Sequence, residues 1–420
     1  MKCKQVCHCE AQRAEAIPVL SGLLRRLRLL AMTCCLLQAC GSGSVVEQLN
    51  NDSPSNLEAE GSSLNLSPDE NVFAAAAFFS DPVGSIATIG LNSPHPVAKA
   101  KAVTDSSDVI VKSFGGILFT VNRGRTGTVQ AINPETFKIV GNYSVGAGSN
   151  PQDLVVANGK AFITRLDSQL DANNKDDLFI VDPITGTLKA SIDLKPFADN
   201  DGDSLARAAQ MALVGDTLYI LLQDLSKNFG ATTEGKIVLV DTRTNTVIDA
   251  DLTTTGVQAI LLKGRNPTDI AYNSTLKKLF ITDTGYFDSS FNNDVNTTYG
   301  GIEMVDPATN KTEGIIIDDK DFGGYLSTLR LVSDTLGVLT VNANIVATFN
   351  PTNKTVVNKN IYLSPGGFLP DLLVDKNGLL WVPERSSANS GLILLDPKAE
   401  IKIAGPFPVG AYPASMTLIR

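Results

Sequence analysis

DLFIVDPITGTLKASIDL, residues Asp177–Leu194, reads as two strands joined by a tight turn. Four apolar residues, Leu178 to Val181, run into Asp182-Pro183 and a Thr-Gly turn. Beyond it Leu188, Ala190 and Ile192 alternate with Lys189, Ser191 and Asp193. Period-two alternation broken by Pro and Gly marks paired strands, because successive strand side chains point to opposite faces. The same grammar returns as VQAINPETFKIVGNYSV, IVLVDTRTNTVIDADL, IEMVDPATNKTEGIII, IVATFNPTNKTVVNKNIYL and LILLDPKAEIKIAGPF. The chain is therefore a repeat array before it is anything else.

Its 420 residues would allow two or three ordinary domains, yet the repeats run without an internal linker, which points to one large all-β body. The 20 prolines and 34 glycines fall as turn punctuation between short strands, with no long helical periodicity between them. All six cysteines lie at or before Cys40, so disulfides do not staple the body and hydrophobic packing must hold it. Net charge is −9, and removal of residues 1–39, with six basic and two acidic side chains, leaves −13. No Lys/Arg cluster follows Arg28, which excludes a nucleic-acid-binding surface.

Arg25, Arg26 and Arg28 precede the apolar run Leu29 to Leu37, which is followed by Gln38-Ala39-Cys40-Gly41. A basic region, a short apolar run and a small residue before a cut describe a secretory signal, too short for a membrane span. Leu37-Gln38-Ala39-Cys40 resembles the bacterial lipobox, which implies a signal peptide over 1–39 and lipidation of Cys40 as the first mature residue. Glu10 and Glu15 are out of place ahead of such a signal, so residues 1–24 read as an over-long start assignment. Cys3, Cys7, His8 and Cys9, upstream of the cut, then carry no metal role in the mature protein. Residues 40–71 continue as a Ser-, Asn-, Gly- and acid-rich tether, which as a flexible coil spans roughly 30 Å. The body starts at 72. Gly41 lacks the Asp that resembles an inner-membrane retention signal, so the lipid anchor is expected in the outer membrane.

Each hairpin is preceded by two more strands, giving a four-strand unit. One unit reads PQDLVVANGK, AFITRLD, DLFIVDP and TLKASIDL. The second strands align as Phe119-Thr120-Val121-Asn122, Phe162-Ile163-Thr164-Arg165, Tyr219-Ile220-Leu221-Leu222, Phe280-Ile281-Thr282-Asp283, Leu339-Thr340-Val341-Asn342 and Trp381-Val382-Pro383-Glu384. These resemble the YVTN repeat family of bacterial and archaeal surface proteins, over roughly residues 108–419, and the resemblance implies a β-propeller. Six complete units begin near Asp108, Pro151, Arg207, Pro267, Thr328 and Leu369. YPASMTLI at the C-terminus supplies one inner strand, while VFAAAAFF, SIATIGL and PVAKAKAV near the start supply three outer strands. Joined, they make a seventh blade that removes open strand edges, against the alternative of six blades with an N-terminal appendage.

In such a meander the first and third turns share one face of the disc. ANGK, PITG, TRTN, PATN and PTNK there are tight turns with little room for a site. Long insertions fall on the other face: 167–177, 196–206, 224–235, 253–266, 284–300 and 318–324. Long loops on a rigid scaffold are where binding resides, so the acidic, loop-rich face is the expected binding face. Its candidate residues are Asp167, Asp171 and Asp176 in one loop and Asp288 and Asp294 in another.

The sharpest motif is Asp199-Asn200-Asp201-Gly202-Asp203. Carboxylates at alternating positions around a Gly suit Ca²⁺. The run departs from a calcium-binding loop at Ser204 and Gln210, and a solvated Asx-rich turn is the other reading. Pro-x-Asp recurs at Asp153 and Asp269, with Asp371 one residue closer to its proline. These three fall near the channel mouth, either as a carboxylate ring for a cation or polar ligand or as caps on backbone N–H groups between blades.

Enzyme chemistry is poorly supplied. After cleavage His95 is the only histidine, and no G-x-S-x-G occurs, so nucleophilic triads and zinc or copper sites lack their groups. No catalytic residue is assigned. The expectation is a non-catalytic, membrane-tethered propeller with a monomeric body that binds a protein, a glycan or a cation through its loops. A calcium-dependent lactonase-like hydrolase using Asp153, Asp269 and Asp371, and a structural surface-layer component, are the alternatives.

Overall fold

The computed structural model describes residues 67–78, 80–198, 205–226, 230–231, 233–286 and 299–419. Among these, the strands form seven antiparallel sheets. Blades 1 to 6 span 109–144, 151–192, 208–261, 267–318, 326–363 and 373–407. Blade 7 takes its inner strand, Pro413–Leu418, from the end of the chain and its other three, Asn71–Ala76, Ser85–Gly90 and Val97–Val103, from the beginning. Val72 lies opposite Leu418 and Ala74 opposite Met416, so the ring is closed by β-pairing between the two ends. The protein is a seven-bladed β-propeller, and the six-bladed alternative is wrong because the N-terminal strands are needed to pair that last strand.

The apolar run in each hairpin has its cause in this stacking. Seven apolar clusters fill the seven gaps between neighbouring blades. The second and third strands of a blade are covered on both faces and lose the alternation of a half-exposed sheet, as Leu178–Val181 shows with all four residues buried. The outer strands face solvent and keep it in part, as in Thr355–Leu363, whose first five residues alternate between exposed and half-buried. Trp381 fills the gap between blades 6 and 7 with 0% exposure, its indole N–H donating to Asp375 Oδ2 at 3.0 Å. Each buried aliphatic or aromatic side chain of this kind contributes about 1.5–3 kcal/mol.

The Asp or Asn that recurs at the end of the third strand caps the tight turn. Asp182 Oδ1 accepts the N–H groups of Ile184 and Thr185 at 3.1 and 2.9 Å. Asn133, Asp241 and Asp396 do the same for the two residues at equivalent spacing in their own turns. The repeated acid in the hairpin grammar is thus local turn chemistry.

Two readings of the sequence need correction. The insertion assigned to the loop face at 253–266 leaves earlier and elsewhere. The outer strand of blade 3 is split: Thr246–Ile248 pairs the lower half of the third strand, Ile260–Leu261 pairs its upper half, and 249–259 bulges from the rim between them. Asp249 Oδ1 pins the bulge by accepting from Asp251 N–H and Gln258 N–H, and Leu252 stands 89% exposed on it. In blade 5, Leu326 lies opposite Val341, whereas in blade 2 Pro151 lies opposite Arg165. The residue matching Arg165 is Val341, and the alignment on Leu339 is one position out, because Leu339 took the place of an aromatic that Val338 occupies.

Candidate functional site

Asp153 and Asp269 sit on the inner strands of blades 2 and 4, and Asp371 two residues ahead of the inner strand of blade 6, just inside the loop-rich face. Each carboxylate crosses to the next blade. Asp153 Oδ2 accepts Met211 N–H at 2.9 Å, Asp269 Oδ2 accepts Leu329 N–H at 3.0 Å, and Asp371 Oδ2 accepts Met416 N–H at 2.9 Å. The other oxygen accepts the N–H of the following residue, Leu154, Ile270 or Leu372, at 2.8–2.9 Å. A register irregularity beside Asp153 and Asp269 turns backbone groups out of the ladder at this point. The freed Asp153 N–H is taken by the Thr164 hydroxyl, which itself donates to Ala209 O in blade 3 at 2.7 Å.

Two cations that the sequence did not mark complete the channel wall. Lys112 Nζ lies 2.8 Å from Asp153 Oδ1. Arg330 bridges two blades, with Nη1 2.6 Å from Asp269 Oδ2 and Nη2 2.8 Å from Asp371 Oδ1. Burial works against the Arg330 charge, but the carboxylates of Asp269 and Asp371 outweigh it and raise its pKa. Lys112, opposite Phe119, and Arg330, opposite Val338, occupy the same strand position in blades 1 and 5, and only the pairing reveals them. Every one of the three carboxylates thus accepts from at least two backbone N–H groups and one cation. Among the described residues no three of His, Cys, Asp and Glu gather as a metal cluster.

The loop face is built by one position per blade, the end of the second strand: Asn122, Arg165, Leu222, Asp283, Val341, Glu384 and, in blade 7, Ala76. In blades 2 and 6 this residue organises the loop above it. Arg165, with 0% exposure, stacks its guanidinium 3.8 Å over the Phe179 ring. It donates to Asp176 O at 2.6 Å, Asn174 O at 2.9 Å and Asp171 Oδ2 at 2.5 Å. Gly146, at φ +103°, makes room: a Cβ there would lie 2.2 Å from Asp171 Oδ2. Glu384, also 0% exposed, accepts from Ser364 Oγ at 2.7 Å, Tyr362 Oη at 2.9 Å and Ser386 N–H at 2.8 Å.

The loop acids chosen from the sequence are bound inward. Asp171 is buried against Arg165, Asp167 pairs with Arg207 and accepts Asn150 Nδ2 at 2.9 Å, and Asp176 accepts the Ser191 hydroxyl. They shape the loop and do not stand as a free acidic surface. Asp288, Asp294, Asp199, Asp201, Asp203 and Cys40 lie outside the described residues.

No known protein family profile matches the chain. No curated protein matches it in sequence either. Solved structures do match in fold. A "putative 6-phosphogluconolactonase" of Bacteroides fragilis superposes with a TM-score of 0.59 at 12% identity, covering 84% of this chain and 99% of that one. A functionally unknown protein of Desulfotomaculum acetoxidans gives 0.55 at 12% identity, over 83% and 98%. Dihydro-heme d1 dehydrogenase NirN gives 0.50 at 12% identity, over 86% and 77%. At this identity the likeness is one of fold.

Proposed function

We propose that this chain is a non-catalytic, envelope-anchored lipoprotein whose propeller binds a protein or glycan through its loop-rich face. The anchor is Cys40, in the outer membrane, and residues 40–71 are the tether. The observation that carries the binding role is the treatment of charge. Arg165, Arg207 and Glu384 are buried at loop roots to hold loops in fixed shapes, while the tight turns of the opposite face use exposed local caps. A preorganised loop surface lowers the ordering cost of binding.

The hydrolase alternative is disfavoured by the same geometry, since the three channel carboxylates are saturated with donors and lie on separate blades. The test is Arg165→Met, which keeps the apolar stack on Phe179 and removes the three loop bonds. Against an array of bacterial envelope glycans and an envelope protein extract, ligand capture should fall at least tenfold. Arg243→Ala on the opposite face, where Arg243 is 66% exposed, should leave capture unchanged. Equal effects of the two, with the fold intact by circular dichroism, would reject the reading. For the anchor, palmitate labelling in cells should be lost on Cys40→Ser.

A further inference from the structure

At the loop-face position of blade 4, Asp283 has a second acid, Glu303, beside it, and neither belongs to the channel straps. Asp283 is the penultimate residue of the second strand and Glu303 lies on the third, and both are 0% exposed. Ile281 pairs with Glu303 across the ladder, so Asp283, two residues on, shares its face. Glu303 has donors on both of its oxygens. Its oxygens accept Lys263 N–H at 2.9 and 3.1 Å, Gly264 N–H at 2.9 Å and the Thr312 hydroxyl.

Asp283 is the opposite case. Both of its oxygens are out of contact with solvent and meet no donor among the described residues. Its neighbour across the inner strand is Pro267, which has no N–H to offer. The chain at Gly264 closes the remaining side, where a Cβ would lie 2.1 Å from Asp283 Cγ.

The charged groups on the surrounding elements are engaged elsewhere. Lys263 runs its side chain past Gly314, Arg265 stacks 3.6 Å over Tyr299 and reaches Glu234, and Asp269 pairs with Arg330. On the short helix Asp319–Phe322, Asp319 lies against Gly300, and the neighbouring Asp318 pairs with Lys320. Glu303 is the charge that acts on Asp283. Burial first, and then that neighbour, push Asp283 well above the usual carboxylate range.

We infer that Asp283 and Glu303 share one proton, an Asp283 carboxyl O–H donating to Glu303, and that this bond is a latch on the loop-face end of blade 4. Two carboxylates in contact cannot both ionise, and the proton belongs to the pair. Glu303 already ties the connection from blade 3, at 263–264, to the third strand and to Thr312 on the outer one. The proton adds the end of the second strand, so four segments meet at one carboxylate. When the proton leaves as pH rises, two buried anions face each other and that end of the blade is released.

Because the folded pair holds its proton more tightly than the unfolded chain, its contribution is full below the ordinary Asp pKa and is lost as pH rises towards the folded value. Asp283→Asn supplies an amide donor at every pH. The test compares urea unfolding of wild type and Asp283→Asn from mildly acidic to alkaline pH. The ratio of their unfolding constants should change by about tenfold per pH unit across that window, in the direction that weakens the wild type. Glu303→Gln, whose amide can donate to an ionised Asp283, should abolish the same slope.

Parallel pH profiles for wild type and Asp283→Asn would overturn the inference. Calcium-dependent stabilisation of the wild type that Asp283→Asn loses would overturn it too, by assigning the pair to a cation. If Asp283→Asn fails to fold, infrared spectra of ¹³C-aspartate protein in an Asp177→Asn, Asp319→Asn background decide, since burial raises both of those carboxyls as well. A label-shifted carboxylic-acid band that persists above the ordinary Asp range supports the shared proton, and its absence there refutes it.

Discussion

Asp371→Ala tests whether the channel aspartates are straps between blades. The side chain accepts four bonds: Leu372 N–H at 2.8 Å, Met416 N–H at 2.9 Å, Ser415 Oγ at 3.3 Å and Arg330 Nη2 at 2.8 Å. Truncation strands two buried backbone N–H groups, each costing about 1–3 kcal/mol, and half-unpairs a guanidinium that keeps Asp269. The sum is about 3–5 kcal/mol, the size expected for breaking a buried charge pair and a large share of the ~5–15 kcal/mol that stabilises a typical domain. Urea unfolding of residues 67–420 is the assay. For a transition with an m-value near 3 kcal/mol/M, the midpoint should fall by roughly 1–2 M. The loss should be the same in calcium and in chelator, because the carboxylate has no free lone pair facing the channel. A loss below about 1 kcal/mol, an unremarkable surface value, would refute the strap. So would a loss seen only when calcium is present, which would return Asp371 to a metal site.

Burial, and then the charge of Glu384, raise the Tyr362 phenol pKa. Glu384→Gln removes the charge and keeps an acceptor, so Tyr362 should ionise at lower pH in an ultraviolet titration, and an unmoved titration would break the assigned contact. Asp319 is pushed up to about 7, first by burial and then by Asp318 beside it. Its folded pKa exceeds the unfolded one, so its stabilising share is full below about pH 4 and declines until about pH 7. Asp319→Asn should flatten the fall in melting temperature across that window, and a carboxyl NMR titration centred near the ordinary Asp value would refute the assignment.

The fold was legible because the array repeats its own turn chemistry. Asp182, Asp241 and Asp396 cap equivalent turns, and the both-faces burial of runs such as Leu178–Val181 distinguishes the inner blade from the exposed outer strand. Ring closure was legible from the unpaired C-terminal strand Pro413–Leu418 and the three early strands without an inner partner. The site was less so. Pro-x-Asp marks a position near the channel, but whether its carboxylate faces the channel or the next backbone depends on a register irregularity of one residue. Lys112 and Arg330 lie in strands of unrelated sequence, and nothing local predicts that they reach Asp153, Asp269 and Asp371. Arg165, Asp283 and Glu384 were aligned in one column, yet their chemistry differs because each answers a different loop.

The straps raise a question of parity. Asp153, Asp269 and Asp371 bond the backbone across the junctions of blades 2 and 3, 4 and 5, and 6 and 7. A pattern on alternate junctions cannot close on an odd number of blades, so one junction must differ. Between blades 7 and 1, the bond at the equivalent place is neutral and longer, with Val111 N–H donating to Ser415 Oγ at 3.3 Å. That is also the seam where a blade made from both chain ends meets the first complete repeat. Hydrogen bonds to a charged acceptor are worth about 1.5–3 kcal/mol and neutral ones about 0.5–1.5, so the seam should open for roughly 1 kcal/mol less. Native-state hydrogen exchange compares the four equivalent amides within one molecule. Val111 should exchange about fivefold faster than Met211, Leu329 and Met416, since 1.4 kcal/mol corresponds to a factor of ten. Equal or greater protection at Val111 would mean that the apolar packing of Phe73, Ile86, Val109 and Leu118 in that gap, and not the straps, sets where the ring opens.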